Sequence, residues 1–527
     1  MTETSVPAEG RLRAGWAGMS GGRSTAFGAT VLLMVSSVLS GGLGLLRTIY
    51  IASVFGAGHQ TDAYFAAFTI PDMISYFLVG GVASISLITI LNRYREAGDE
   101  AGADRALSVV LNAMLVVLGA AVVVTEFLTP WLVRFFFKKF DAETSALCIH
   151  LTRLLLPGPL FFFAGGVLGS RLLVRKIFVY QAMTPIVYNL GIILGGVFLS
   201  KRLGVDSLAG GAWAGAFVGT TLINAVGAVR GGFRYRPILN LWDPAFKEWL
   251  ILSLPLMIGF SLTMADKWIL NYFAAGDRGG ITLLSNAKAL FNSPLSIIGM
   301  AAGAASLPFF SRLYAQGRMF DFNGAVSRAV SRLLAVSLLV SGLMVGLAEP
   351  IVDILRRGSF THKDAAATAT YFAVFAVTLC LWSAQGIYAR AFYAAGDTLT
   401  PAVTGTVITV AVIPVYWVLY RGFGVSGLAW ASDLGIFILT VTMALQLHRK
   451  RLVSIASLEG GELVRAGVAS LVGYMAVVGC VRFVPHGAGH AGDVVVIGVG
   501  TVVWGVVCLG VLVGLGSKLP GQLRRRG

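Results

Sequence analysis

The sequence predicts an all-α polytopic membrane protein of about 14 transmembrane helices, built as two six-helix lobes related by an internal parallel repeat plus two C-terminal helices. Three observations carry this expectation. Of the 527 residues, 56% are hydrophobic and only 13% charged, and the mean hydropathy is +0.79, a balance foreign to soluble domains. Apolar windows long enough to cross a hydrocarbon core of about 30 Å recur along the whole chain. One half of the sequence also matches the other at a nearly constant offset.

Taken in order, residues 1–26 are polar and Gly/Ser-rich with Arg11, Arg13 and Arg23. They read as a cytoplasmic tail, because the apolar run that follows is too long for a signal-peptide core. The N-lobe, 27–230, holds windows near 27–53, 62–92, 106–133, 145–173, 178–200 and 207–229. A polar cytoplasmic linker, 231–247, carries Arg234, Arg236, Asp243 and Lys247. The C-lobe, 248–447, repeats the pattern near 248–274, 281–311, 326–350, 366–393, 400–420 and 425–447. A basic loop, 448–463, opens with His448-Arg449-Lys450-Arg451, and helices 13 and 14 occupy 464–516. The tail, 517–527, ends in Arg524-Arg525-Arg526.

Every second loop is the more basic one, as at Arg93, Arg95 and Arg105, or Arg230, Arg234 and Arg236. Cytoplasmic loops carry that excess, so both termini are expected in the cytoplasm. Arg134, Lys138, Lys139, Arg356 and Arg357 fall on the other side without reversing the bias.

Shifting the chain so that Gly80 falls on Gly299 also places Gly98 on Gly317, Ala106 on Ala325 and Arg171 on Arg390. One residue further on, Gly204-Val205 meets Gly424-Val425. Several of these are loop glycines and arginines, which shared hydrophobicity does not explain. An even number of helices per copy keeps the copies parallel, and transporters with parallel repeats rock one lobe against the other around a site between them. The last two helices are an appendage.

The net charge of +16 is scattered between apolar runs, which argues against nucleic acid. Cys148, Cys380, Cys480 and Cys508 are isolated in or near apolar stretches and read as small hydrophobes. There is no phosphate-binding Gly-rich loop ending in Lys-Ser/Thr and no His-Glu-x-x-His, and the six histidines are dispersed. Neither an enzyme nor a metal or cofactor site is expected. Transport would draw on a coupling ion, the membrane potential or the substrate gradient.

Charges inside apolar helices are costly and mark function by default. Arg47 lies in the first span, where snorkelling to head groups is the structural alternative. Asp62 opens the second span after the turn Phe55-Gly56-Ala57-Gly58, placed either to pair with Arg47 or to meet a helix dipole. Asp266, Lys267 and Lys288 lie in the second lobe, Lys288 toward a cavity. Asp433 stands in an apolar helix with no basic neighbour at helical spacing, and it predicts pairing across helices with Lys267 or Lys288, or protonation. Asp266 and Asp433 are the candidates for ion coupling.

The stretch Phe55-Gly56-Ala57-Gly58 through Thr61-Asp62-Ala63-Tyr64-Phe65 and Ile70-Pro71-Asp72 resembles the signature of the MurJ/MviN family, the lipid II flippases of the multidrug/oligosaccharidyl-lipid/polysaccharide exporter superfamily. Glu349-Pro350-Ile351 with Gly358-Ser359-Phe360-Thr361, and Ala391-Phe392-Tyr393-Ala394-Ala395-Gly396-Asp397-Thr398, resemble two further family motifs. The resemblance implies a flippase that moves undecaprenyl-diphosphate-linked glycan, lipid II, to the outer leaflet for peptidoglycan and cell-wall biogenesis. It implies a cationic cavity for the diphosphate and a groove for the lipid tail reaching the last two helices. By position Arg47 and Asp62 match family residues, and Lys288 stands where the family has arginine. Other family arginines fall at Gly41 and at Ser75-Tyr76, a glutamate falls at Gly80, and the polar pair of a sodium site falls at Val412 and Tyr416. The expected function is lipid II translocation by a monomer working through alternating access, with Arg47, Asp62 and Lys288 binding substrate. The alternatives are a paralogue exporting another polyprenyl-diphosphate-linked oligosaccharide or amphipathic solute, and a non-transporting scaffold for cell-envelope enzymes. A scaffold would tolerate neutralisation of Arg47 and Lys288.

Overall fold

The computed structural model describes residues 26–258, 261–303, 306–483 and 490–524. The expected N-terminal tail, apart from Ala26, and the last three residues lie outside them. Every regular element among the described residues is helical. In chain order they are α1 (Ala26–Phe55), α2 (His59–Ala67), α3 (Thr69–Ile74), α4 (Gly80–Glu96), α5 (Glu100–Phe136), α6 (Ala142–Leu155), α7 (Gly158–Val174), α8 (Val179–Leu203), α9 (Asp206–Ala216) and α10 (Ile223–Arg230). Then come α11 (Pro244–Ile258), α12 (Leu262–Ala274), α13 (Gly280–Gly303), α14 (Ser306–Ala315), α15 (Met319–Gly346), α16 (Ala348–Asp353), α17 (His362–Val377), α18 (Leu379–Ala394), α19 (Leu399–Arg449), α20 (Gly460–Phe483), α21 (His490–Gly514) and α22 (Leu519–Arg524). π-Turns at Ser75–Val79 and Phe217–Leu222 join α3 to α4 and α9 to α10.

The caps explain where the helices start. Asp99 and Asp141 each accept a hydrogen bond at 2.7 Å from the third residue beyond, and Thr361 with Asp364 forms a reciprocal capping box. Among the described residues nine helices are long and apolar enough to cross a bilayer, or ten when α17 and α18, bent by 44° at Thr378, count as one. α19 holds two arms, because Gly424 (φ 60°, ψ −142°) breaks its 51 residues. Breaks at π-turns and kinks split other passes into shorter pieces, and the whole is consistent with the expected fourteen.

The chain forms two compact units. One comprises the described residues up to Arg47 together with Ala66–Ile258, and the other comprises Thr48–Phe65 and everything from residue 261 onward. The core of the first is built on Trp249, Phe163, Phe246, Leu107 and Leu118. Within it α8 and α9 touch through glycines: a Cβ on Gly191 would lie 2.6 Å from Gly215 Cα, and one on Gly195 would lie 2.7 Å from Gly211 Cα. Small residues let membrane helices approach this closely. In the second unit α20 and α21 dock on α15 through Ala335, Ala466, Ala469 and Leu512. Ser470 Oγ donates to Leu338 O at 2.6 Å, and Trp504 Nε1 donates to Leu339 O at 3.0 Å.

The repeat is visible in local geometry. Gly98 and Gly317 both turn at φ near +70°, while Gly204 (φ 55°, ψ −135°) and Gly424 share one unusual conformation. Thr220 Oγ1 donates to Phe161 O at 3.1 Å, and at the matching place in the second copy Thr440 Oγ1 donates to Leu381 O at 3.2 Å. Arg234 N donates to Asp104 Oδ2, and Ser454 N donates to Asn323 Oδ1. One expected match needs correction. α7 and α18 end in the same turn, Lys176 N to Leu173 O and Gly396 N to Tyr393 O, in the register that puts Thr220 on Thr440. A regular α-helix cannot slip a residue internally, so Arg171 falls on Ala391 rather than Arg390.

Candidate functional site

In the second unit, α12, α13, α17, α18 and both arms of α19 converge on Lys288. Its Nζ lies 2.8 Å from Asp266 Oδ2 and donates to Ser432 Oγ at 3.0 Å. Aromatic faces surround the ammonium, with ring centroids at 4.0 Å for Phe375, 4.5 Å for Trp382 and 5.5 Å for Phe291. Ring quadrupoles attract a cation most when it is desolvated, and the Lys288 side chain is only 15% exposed. Tyr416 OH donates to Asp266 Oδ1 at 2.6 Å. Asp433 is 4% exposed, and its Oδ1 accepts from Thr378 Oγ1 at 2.6 Å. Its Oδ2 has no hydrogen-bond partner among the described residues. Asp433 also lies within electrostatic reach of Lys288 and Asp266. Thr378 reaches it because the chain bends there, between α17 and α18.

The structure therefore brings Asp266, Lys288 and Asp433 together. The two carboxylates exceed the single ammonium by one charge, in a place where an uncompensated charge is expensive. Residues that the sequence reading did not assign complete the centre: Thr378, Ser432 and three aromatic rings, with Tyr416 in a new role. Trp382, Phe375 and Phe291 carried no signal of their own, since aromatic residues are common in apolar helices.

Asp62 sits elsewhere in the same unit. It is 3% exposed and accepts from Gly279 N at 2.5 Å, Thr282 N at 2.9 Å and Thr282 Oγ1 at 2.7 Å. It thus caps the N-terminus of α13, where orphan donors and the helix dipole favour a carboxylate. Nearby, Ser359 N donates to Ser53 O at 2.8 Å and Ser359 Oγ to Val54 O at 3.0 Å. Two of the three motif stretches are hence parts of one latch. The third is also a cap: Asp397 accepts from Thr400 N at 2.9 Å and Thr400 Oγ1 at 2.7 Å, and it pairs with Lys450. Burial pushes the Asp397 carboxyl up, but the Lys450 bond and the Thr400 donors outweigh it and hold it below its ordinary value.

In the first unit, Arg47 makes no hydrogen bond or ion pair among the described residues and is half-buried. Arg47 and Asp72 both lie within electrostatic reach of Tyr188. Asp72, Ser75 and Tyr188 line a cavity of about 80 Å³ with Phe68, Phe162 and Trp213. Ser75 stands where the family resemblance leads one to expect arginine, and a serine leaves that space open.

A twice-repeated helical unit with costly charges buried inside lipid-length spans defines a multi-pass membrane transporter. Comparison with known proteins gives the particular family. The family described as "Lipid II flippase MurJ" matches residues 51–494, and the chain belongs to it; this is a family of transporters rather than enzymes. "Probable lipid II flippase MurJ" of Thermotoga maritima is 25% identical over 427 residues, covering 80% of this chain and 86% of the relative. The protein of that name in Bdellovibrio bacteriovorus is 28% identical over 416 residues, covering 76% of this chain and 78% of its own. Among solved structures, lipid II flippase MurJ in an inward closed conformation superposes with a TM-score of 0.76 at 20% identity, covering 92% of this chain and 99% of that one. An inward-facing MATE family multidrug resistance transporter of the MOP superfamily gives 0.66 at 16% identity, over 80% of this chain and 98% of that one. These two show the shared fold.

Proposed function

We propose that this chain translocates lipid II, the undecaprenyl-diphosphate-linked peptidoglycan precursor, from the cytoplasmic to the outer leaflet of the bacterial inner membrane by alternating access. The family match across residues 51–494 carries this reading. The protein acts as a monomer with both termini in the cytoplasm. Arg47, a first-unit guanidinium that makes no hydrogen bond or ion pair among the described residues, holds the diphosphate, for which its planar donor set is suited. Asp62 keeps the outer end of α13 in place.

Lys288, Asp266 and Asp433 form the ion-responsive centre. A proton or a monovalent cation at Asp433 balances the excess carboxylate. Release of the Lys288 ammonium from Asp266 lets it meet the substrate's phosphate during the cycle. The lysine in this centre supplies internally the positive charge that a bound cation would otherwise bring.

A second reading, export of a different polyprenyl-diphosphate-linked oligosaccharide, is favoured by Gly41 and Ser75-Tyr76, which stand in place of family arginines. Transfer of labelled lipid II across liposomes tests both, with Arg47→Ala and Lys288→Ala run alongside. Transfer by the unmodified protein that falls at least tenfold in both variants supports the first reading. No transfer by correctly inserted protein favours the second, and undiminished transfer by both variants removes those residues from substrate binding.

A further inference from the structure

We infer that the first unit binds a primary ammonium group, carried on a slender chain, in the cavity between Asp72 and the rings of Phe162, Tyr188 and Trp213. The internal repeat supplies the first argument. The shift that puts Gly204 on Gly424 carries four cavity-lining residues, Leu155, Phe162, Ala212 and Trp213, onto Phe375, Trp382, Ser432 and Asp433. The Thr220 and Thr440 hydrogen bonds show the same shift independently. Those four partners are two of the ring faces around the second unit's ammonium, its hydroxyl acceptor and its nearby carboxylate. The cavity is the counterpart of a cage that holds an ammonium, and its own lining contains no lysine.

Its chemistry supplies the second argument. The carboxylate has moved from the Asp433 position, now Trp213, to Asp72, one helical turn beyond Phe68. Of the cage's ring positions the one held by Trp382 keeps a ring, Phe162, which meets Tyr188 edge to face at 5.7 Å, and Trp213 adds a further face. A carboxylate beside aromatic faces selects a cation over a neutral or anionic group. Size narrows the ligand further. About 80 Å³ is well below the roughly 150 Å³ of an apolar cavity that admits benzene. An ammonium with one or two methylenes fits within it.

Two sources carry this chemistry: the diamino-acid side chain of a peptide-bearing lipid precursor, and an aminophospholipid head group. The first deepens the flippase reading and rests on it, with Arg47 taking the phosphate end of a substrate whose ammonium end lies at Asp72.

The test is binding of N-acetylcadaverine, which has one ammonium, and of N,N′-diacetylcadaverine, which has none, to the purified full-length protein by saturation-transfer NMR. Saturable binding of the first alone is expected, weakened at least tenfold by Asp72→Asn and by Ser75→Arg, whose guanidinium fills the space. Absence of binding to folded protein, equal binding of the diacetyl compound, or unchanged binding to both variants overturns the inference. Where Asp72→Asn fails to fold, Ser75→Arg and Trp213→Leu decide. Displacement by a lysine-containing pentapeptide assigns the site to the precursor, and displacement by phosphoethanolamine assigns it to the lipid. Ammonium binding by a protein that moves no lipid II in liposomes sustains this inference and overturns the flippase reading.

Discussion

The two units repeat one backbone plan and differ in how they distribute charge. In the second, the first helix of the repeat carries a carboxylate, Asp266, and the second helix a cation, Lys288, joined at 2.8 Å. In the first, the first helix carries Arg47 and the second carries Asp72. α1 and α12 end at Phe55 and Ala274, matched by the shift that also puts Gly80 on Gly299, and it puts Arg47 on Asp266. The polarity of the pair is inverted between copies. The second unit neutralises most of its charge internally, whereas the first leaves Arg47 without a hydrogen bond among the described residues. Duplication preserved the helices because their packing needs only apolar shape. The charged positions diverged because a transporter needs different chemistry in its two halves.

A second contrast lies in the segments that follow each six-helix repeat. In the first unit Asp104 accepts from Arg234 N at 3.0 Å and is also gripped by Arg171, at 2.8 Å from Nε and 2.7 Å from Nη2. Arg171 donates further to Gly231 O and Gly232 O. In the second unit Asn323 keeps the backbone bond, from Ser454 N at 2.8 Å, without the carboxylate. The same connection is therefore clamped by a buried ion pair in one copy and by neutral hydrogen bonds in the other.

The largest effect should come from breaking the clamp. Arg171→Ala leaves Asp104 buried without its cation, a loss of about 3–5 kcal/mol, whereas Asn323→Ala removes neutral bonds worth about 1 kcal/mol each. Thermal unfolding in detergent should rank them in that order, and equal losses would end the distinction between the clamps. Next in size is the centre around Lys288. With the Asp433 charge balanced as proposed above, Asp266→Asn strands the ammonium and should cost about 3–5 kcal/mol, and Asp266→Asn with Lys288→Leu should recover most of it, as replacement of a buried pair is often neutral. A double variant as unstable as the single would show that the aromatic cage, rather than the charge pair, organises the site.

Smaller is the close approach of α8 and α9. Gly211→Ala puts a methyl 2.5 Å from Gly191 O, overpacking that costs about 1–3 kcal/mol. Gly210→Ala, one residue earlier and facing open space, should be nearly silent in the same melt.

The smallest effect is a pH dependence at Asp397. Its folded-state value is depressed, so its contribution is present above the ordinary value of 3.8 and disappears as the pH falls through the lower folded value. Lys450 is 46% exposed, so the pair is worth no more than about 1 kcal/mol. Asp397→Asn should lower the melting temperature slightly at pH 7 and make no difference near pH 2. A gap that persists at low pH would assign the stabilisation to the Thr400 bonds alone.

Much of this protein was legible in its sequence. Lipid-length apolar runs can only become helices, since hydrocarbon offers the backbone no other hydrogen-bond partner. Gly204 and Gly424 were matched across the repeat in sequence, and the structure gives both a positive φ that only glycine enters without strain. The cost of a charge in lipid singled out Arg47, Asp266, Lys288 and Asp433 before any contact was known. Pairing needed the tertiary structure. Asp62 pairs with the start of α13, and Lys288 meets Asp266 and Ser432, because helices far apart in the chain set which faces touch. The π-turn at Ser75–Val79 left no trace in composition. The bend at Thr378 aims a hydroxyl at Asp433, far along the chain. A one-dimensional pattern fixes how often a residue faces inward, and only the packed helices decide what it faces.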